Sequence, residues 1–184
     1  MEEKIHGGSQ FLSPDLILKQ AGVEVGSVVA HLGCGALGHF VFPAARRVGK
    51  SGLVYAVDVQ RNIVENLGRR VVVEGLDNLK TVWADLEILG STKIPDESVD
   101  VALLISILFQ SKKKEDIFRE AARVLKKGGR LMVIDWQPAD MPIGPPREIR
   151  VEKSEARQIA HEFNLSELEE FTAGPYHYGI LFKK

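Results

Sequence analysis

Short apolar runs alternate along the chain with segments whose apolar residues recur at helical spacing. Residues 28–32, 53–57, 79–83, 101–105 and 131–134 are each rich in Val, Leu, Ile or Ala, with few polar interruptions. Such runs predict strands covered on both faces, as in a parallel sheet between helices. Between the last two, residues 116–125 place Ile117, Ala121, Val124 and Leu125 on one helical stripe. Gly128 and Gly129 are expected to end that helix before the fifth strand. Ser13 and Pro14 predict an N-terminal helix, with Ser13 as cap and Pro14 at its first position. Alternating strands and helices imply a doubly wound α/β domain with helices on both faces of the sheet.

The pattern changes after the fifth strand. Pro138, Pro142, Pro145 and Pro146 fall within ten residues and exclude regular structure there. A long irregular connection is a candidate lid or substrate loop. A helix is expected over 152–163, then strands over 168–172 and 176–182 joined by Ala173-Gly174-Pro175. A turn that short permits only an antiparallel pair, so the sheet is expected to close with an antiparallel strand.

Composition narrows the class. The 184 residues suit one domain; 45% are hydrophobic, 27% are charged and the net charge is -1. This is an ordinary globular balance, with no overall field towards nucleic acid or an acidic membrane. Lys112-Lys113-Lys114 is the one basic run, and it fits a solvated helix start. The single cysteine, Cys34, excludes an internal disulfide and a cysteine-rich zinc site. The first ten residues lack a secretory pattern, and the longest apolar run, 99–109, is interrupted by Asp100 and Ser106. A cytoplasmic protein without a membrane span or a metal is expected.

Chemistry gathers at strand ends. Gly33-Cys34-Gly35-Ala36-Leu37-Gly38 follows the first predicted strand and precedes a helix, where glycines let a ligand approach the backbone. Asp58 ends the second strand, where a carboxylate can accept hydrogen bonds from both hydroxyls of a ribose; capping the next helix is its alternative role. Asp85, after the third strand, is equally an adenine contact or a turn residue. Three such features at the carboxyl ends of successive strands mark a ligand site. Residues 44–51, A-A-R-R-V-G-K-S, miss the phosphate-loop pattern because Ala44 replaces its first glycine and the segment ends a helix.

These motifs resemble those of the class I S-adenosylmethionine-dependent methyltransferases over nearly the whole chain. Residues 28–40 resemble the first motif, Val54-Tyr55-Ala56-Val57-Asp58 the second and Trp83-Ala84-Asp85-Leu86 the adenine-contacting one. Arg123-Val124-Leu125-Lys126-Lys127-Gly128-Gly129-Arg130-Leu131 is similar to the family's R-V-L-K-P-G-G-x-L, with Lys127 in place of proline. The resemblance implies a Rossmann-like sheet of seven mostly parallel strands whose last is antiparallel. It implies one domain, 1–184, comprising an N-terminal helix and lid (1–25), a cofactor-binding core (26–136), the proline-rich loop (137–150) and a C-terminal helix with two strands (151–184). S-adenosylmethionine is the implied cofactor and S-adenosylhomocysteine the product. The implied cofactor residues are His31, Gly33, Cys34, Gly35, Gly38, Phe40, Asp58, Val59, Asp85, Leu86 and Ile105.

Two positions depart from the family pattern. His31 stands where an acid normally helps hold the methionine amino group. A neutral histidine there can accept a hydrogen bond, whereas a protonated one would repel the ammonium. Leu37 also lengthens the usual G-x-G-x-G to G-x-G-x-x-G. These departures leave open a non-catalytic relative that only binds cofactor or partner. The glycine spacing with Asp58 also satisfies a nicotinamide-dinucleotide fingerprint, although the chain lacks a separate substrate domain.

Candidate acceptor contacts are Phe11, Ser106, Asp135, Arg147 and His177. Each has a blander alternative: Phe11 docking on the core, Asp135 capping a turn, Arg147 in a surface ion pair, His177 packed in the core. Cys34 is read as a small packing residue rather than a nucleophile. The small substrate-selecting segments (6–12, 137–150 and the tail) favour a small-molecule acceptor and disfavour nucleic acid.

Overall fold

The computed structural model describes residues 11–184. The part of the expected lid that precedes Phe11 lies outside the described residues. Seven strands form one sheet: β1 (Val28–Leu32), β2 (Leu53–Asp58), β3 (Leu79–Trp83), β4 (Val99–Ile105), β5 (Leu125–Trp136), β6 (Ser166–Ala173) and β7 (His177–Lys183). Their order is β3-β2-β1-β4-β5-β7-β6. The first five pair in parallel with one another, while β7 is antiparallel to both β5 and β6. The antiparallel closing strand is therefore present, inserted one place in from the sheet edge.

Helices α1 (Pro14–Gln20), α2 (Val41–Val48) and α3 (Arg61–Glu74) cover one face, and α4 (Lys114–Val124) and α5 (Lys153–Glu162) the other. Alternation along β1 shows how the two cores separate. Val29 packs with Phe42, Ala45, Val48 and Leu67 of α2 and α3, whereas Ala30 and Leu32 pack with Phe118, Ala121 and Ile159 of α4 and α5. Burial on both faces explains the near-continuous apolar strands. Among the described residues, no helix is long and apolar enough to cross a membrane.

Two local expectations need correction. Helix α4 stops at Val124, and β5 starts at once with Leu125, so Gly128 and Gly129 do not terminate a helix. The β4–β5 register jumps from Val99↔Leu125 to Val101↔Arg130, and the glycines sit in the irregularity so created. A Cβ on Gly129 would lie 2.9 Å from the Lys126 carbonyl oxygen. Ser13 does precede α1 and Pro14 is its first residue, but the Ser13 side chain makes no capping bond. The proline-rich segment is irregular as expected, yet it is organised from within. The buried Arg150 guanidinium donates to the carbonyls of Pro145, Gln137, Ala139 and Ile143.

Candidate functional site

A cavity of about 640 Å³ opens at the carboxyl ends of β1, β2 and β4. The switch in strand order falls between β1 and β4, where β1 is flanked by β2 on its other side. Open α/β sheets bind ligands at such a point because the connections leave in opposite directions and part there.

The turn after β1 forms one wall through Gly33, Cys34, Gly35, Ala36 and Leu37. It is stitched to the end of β2. The amides of Gly33 and Cys34 both donate to the Val57 carbonyl at 2.9 Å, and the Gly35 amide donates to Asp58 Oδ2 at 2.9 Å. Gly33 has φ +80, and a Cβ there would strike Ile107 Cδ1 at 2.1 Å, so the turn closes tightly against the loop after β4. The Cys34 thiol is buried, and burial followed by the nearby Asp58 charge pushes its pKa well above the ordinary thiol range. Both features suit a small packing residue better than a nucleophile.

Asp58, 7% exposed, spends one bond per oxygen on backbone: Oδ2 on Gly35 and Oδ1 on the Gln60 amide, 2.9 Å away. The cap-like contact and the cavity position therefore coexist. Val59 follows on the wall, its carbonyl held by Trp83 Nε1 at 2.9 Å. Asp85 and the buried Leu86 line the same side; Asp85 Oδ1 accepts the Glu87 amide at 2.9 Å, a turn contact. Glu87 in turn accepts Ser111 Oγ at 2.6 Å, and this bond chiefly holds its carboxyl below the ordinary value.

The far wall holds His31, Phe40, Ile105 and Ser106. His31 is 3% exposed and lies edge-on to Phe40, ring centroids 5.8 Å apart. Burial, with a smaller contribution from His39, lowers its pKa to about 3, so the ring is neutral near pH 7. The repulsion that a protonated histidine would cause does not arise. His39 Nε2 lies 2.9 Å from the Leu12 carbonyl oxygen and donates to it, tying the start of the described chain to this turn. Ser106 sits at φ +53 with its amide on the Ile134 carbonyl, and its own carbonyl accepts from Gln110 Nε2.

Ten of the eleven sequence-predicted cofactor residues thus meet in one cavity, and Ser106 joins them. The exception is Gly38. It does not line the cavity but gives way to packing, since a Cβ would meet Phe42 at 2.6 Å and Leu67 at 2.9 Å. Four candidate acceptor residues also lie elsewhere. Asp135 is fully buried and faces inward, accepting the amides of Leu108 and Trp136. Burial raises its pKa to about 7. His177 is fully buried against Trp136, ring centroids 4.4 Å apart. Arg147 is on the surface near Asp140 and lines a separate hollow of about 550 Å³ in the proline-rich loop. Phe11 packs edge-on against Tyr176. The sequence reading overlooked Gln60, Asn62, Glu87, Ile107, Gln110 and Ser111 on the cavity wall. Each lies within six residues of a strand end, which was the available signal.

Comparison with known proteins agrees with this geometry. A family model described as "Methyltransferase domain" matches residues 24–172. The ubiquinone/menaquinone biosynthesis C-methyltransferase of Azotobacter vinelandii is 31% identical over 146 residues, covering 78% of this chain and 56% of that protein. The arsenite methyltransferase of Halobacterium salinarum is 30% identical over 115 residues, 62% of this chain and 28% of its own. The chain spans about half the length of the first of these relatives and less of the second. A solved S-adenosylmethionine-dependent methyltransferase from Aquifex aeolicus is 25% identical and superposes with a TM-score of 0.85, covering 95% of this chain and 91% of that one.

Proposed function

The chain belongs to the class I S-adenosylmethionine-dependent methyltransferases, and from that membership we propose that it moves a methyl group from S-adenosylmethionine to a small-molecule acceptor by in-line substitution. The observation that carries the reading is the junction of Asp58 with the Gly33–Gly35 turn on the wall of one cavity.

The residues present fit the cofactor. A carboxylate has about four acceptor positions, and Asp58 uses one on each oxygen, leaving both oxygens able to receive ribose hydroxyls. Val59 and Leu86 offer apolar surface to a purine, with Asp85 at its edge. At the other end, both ring nitrogens of His31 and the hydroxyl of Ser106 are buried without a hydrogen-bond partner. Buried polar atoms in that state are rare, and a polar ligand satisfies them.

When bound, S-adenosylmethionine supplies a methyl group on a sulfonium that leaves readily as a thioether. The chain's own task is to orient the acceptor and exclude water. We assign no general acid or base, because Asp135 and His177 lie outside the cavity wall. The cavity volume is that of a small-molecule site, which favours a small acceptor over a macromolecule. One catalytic unit acting in the cytoplasm completes the proposal, supported by the near-neutral charge and the single, free cysteine.

Calorimetric titration and thermal unfolding with S-adenosylmethionine, S-adenosylhomocysteine and reduced nicotinamide dinucleotide test the reading. Both sulfur compounds should bind; at a hundred times its dissociation constant a ligand stabilises the fold by about 2.7 kcal/mol. Binding of the dinucleotide alone, or of none, would overturn it.

A further inference from the structure

The end of β4 and the loop after it give the cavity Ile105, Ser106, Ile107, Gln110 and Ser111. The end of β5 holds this loop from behind. The Ser106 amide donates to the Ile134 carbonyl at 2.8 Å. The next residue, Asp135, accepts the Leu108 amide on Oδ2 at 3.0 Å, and the Phe109 amide also reaches its carboxyl. Gln110 Nε2 then closes the loop on the Ser106 carbonyl at 2.8 Å. Asp135 itself is fully buried and absent from the cavity wall, so it acts on a ligand only through this loop.

Two features of the loop depend on that hold. Ser106 has φ +53, a left-handed backbone that a residue with a Cβ keeps only where its surroundings fix it. Ile107 fills the space that a Gly33 side chain would need, so the loop also abuts the glycine turn, whose Gly35 is bonded to Asp58. Releasing Leu108 therefore loosens one wall and the support of another. Building on the proposed function, we infer that Asp135 is a positioning residue for the cofactor cavity: it fixes the loop after β4 against the glycine turn, and ligand affinity depends on it although no ligand touches it. By reciprocity, a ligand that gains affinity from the ordered loop returns the same free energy as stability of that loop.

Titration calorimetry with S-adenosylhomocysteine on the wild type, Asp135→Ala, Asp135→Asn and Ile159→Ala tests this. Asp135→Ala strips the loop amides of their acceptor and should bind at least about tenfold more weakly. Asp135→Asn keeps an acceptor oxygen for Leu108 and should stay within about threefold of the wild type. Ile159 is buried under α5 and absent from the cavity wall, so Ile159→Ala should lower the unfolding midpoint yet bind as the wild type does. Weakening shared equally by Asp135→Asn or Ile159→Ala overturns the inference and leaves the proposed function standing, as does unchanged binding in folded Asp135→Ala. Should Asp135→Ala fail to fold, hydrogen exchange of the wild type decides. Saturating S-adenosylhomocysteine should slow the Leu108 and Phe109 amides more than those of α5, and an equal effect on both would overturn the inference. Failure of the wild type to bind S-adenosylhomocysteine overturns the proposed function and the inference together.

Discussion

The amide of Gly35 donates to Oδ2 of Asp58 across 2.9 Å, so the turn after β1 and the acid that ends β2 hold each other in place. Asp58→Ala removes the acceptor for this amide and for that of Gln60. Leaving such donors unpaired costs about 1–3 kcal/mol. We expect a lower unfolding midpoint together with at least tenfold weaker S-adenosylhomocysteine binding, read by calorimetry. Asp58→Asn, which keeps an acceptor oxygen, should recover more stability than affinity. Equal recovery of both would argue that Asp58 serves the backbone alone.

Gly33 and Gly35 share a left-handed backbone but differ in their surroundings. A Cβ at Gly33 meets Ile107, whereas one at Gly35 meets nothing within 4 Å. Alanine in this conformation costs roughly 1–2 kcal/mol at either site. Gly33→Ala adds overpacking of about 1–3 kcal/mol. Urea denaturation should therefore rank Gly33→Ala as the less stable variant, and a reversed order would show that Ile107 moves aside freely.

His31 and Asp135 should oppose each other in acid. Burial lowers His31 from its ordinary 6.5 to about 3, so the unfolded chain binds a proton there that the folded chain refuses, and stability falls as pH drops below 6.5. Burial raises Asp135 from 3.8 to about 7, so the folded chain holds a proton the unfolded one releases, and this stability is lost as pH rises from about 4 to 7. Each slope approaches about 1.4 kcal/mol per pH unit at most. Between pH 4 and 6.5 they largely cancel. Relative to wild type, Asp135→Asn should gain stability with rising pH in this window and His31→Gln should lose it. Parallel curves for all three proteins would contradict both shifts.

Glu120 is fully buried, yet it is well satisfied. Its carboxylate accepts Gly90 N at 2.8 Å, Thr92 Oγ1 at 2.5 Å and Arg123 at 2.7 and 2.9 Å. Burial pushes its pKa upward, but the bonds from Arg123, Thr92 and Gly90 outweigh it and hold the group below its ordinary value. Glu120→Ala takes this acceptor from Gly90, Thr92 and Arg123, although Arg123 keeps its ion pair with Asp96, and should cost about 1–3 kcal/mol. The bonded segment continues from Asp85, Leu86 and Glu87, so hydrogen exchange at Gly90 should quicken and carry into the cavity wall. Unchanged exchange would confine the residue's role to anchoring Arg123.

Strand periodicity made much of this architecture readable. β1 and β3 have the bounds their apolar runs predict, because residues covered on both faces leave an unbroken signature. β5 begins six residues earlier than its apolar core, because Lys126, Lys127, Gly128 and Gly129 carry no strand pattern while the backbone continues through an irregular pairing with β4. The glycine turn and Asp58 were legible for a local reason, since strand ends position them directly. Asp135 also ends a strand but turns inward to hold Leu108, a direction that depends on the neighbouring loop. Gly38 shares a motif with Gly33 and Gly35, yet only its contacts with Phe42 and Leu67 reveal a different duty.

Arg150 gives the proline-rich segment a scaffold of an unusual kind, for all four of its acceptors are main-chain carbonyls. Every residue type supplies a carbonyl. The exposed Asp140 and Glu148 could therefore be exchanged without unmaking the path of the chain, provided the guanidinium stays. Shape is vested in one buried side chain and surface chemistry in its neighbours, so the two can vary independently.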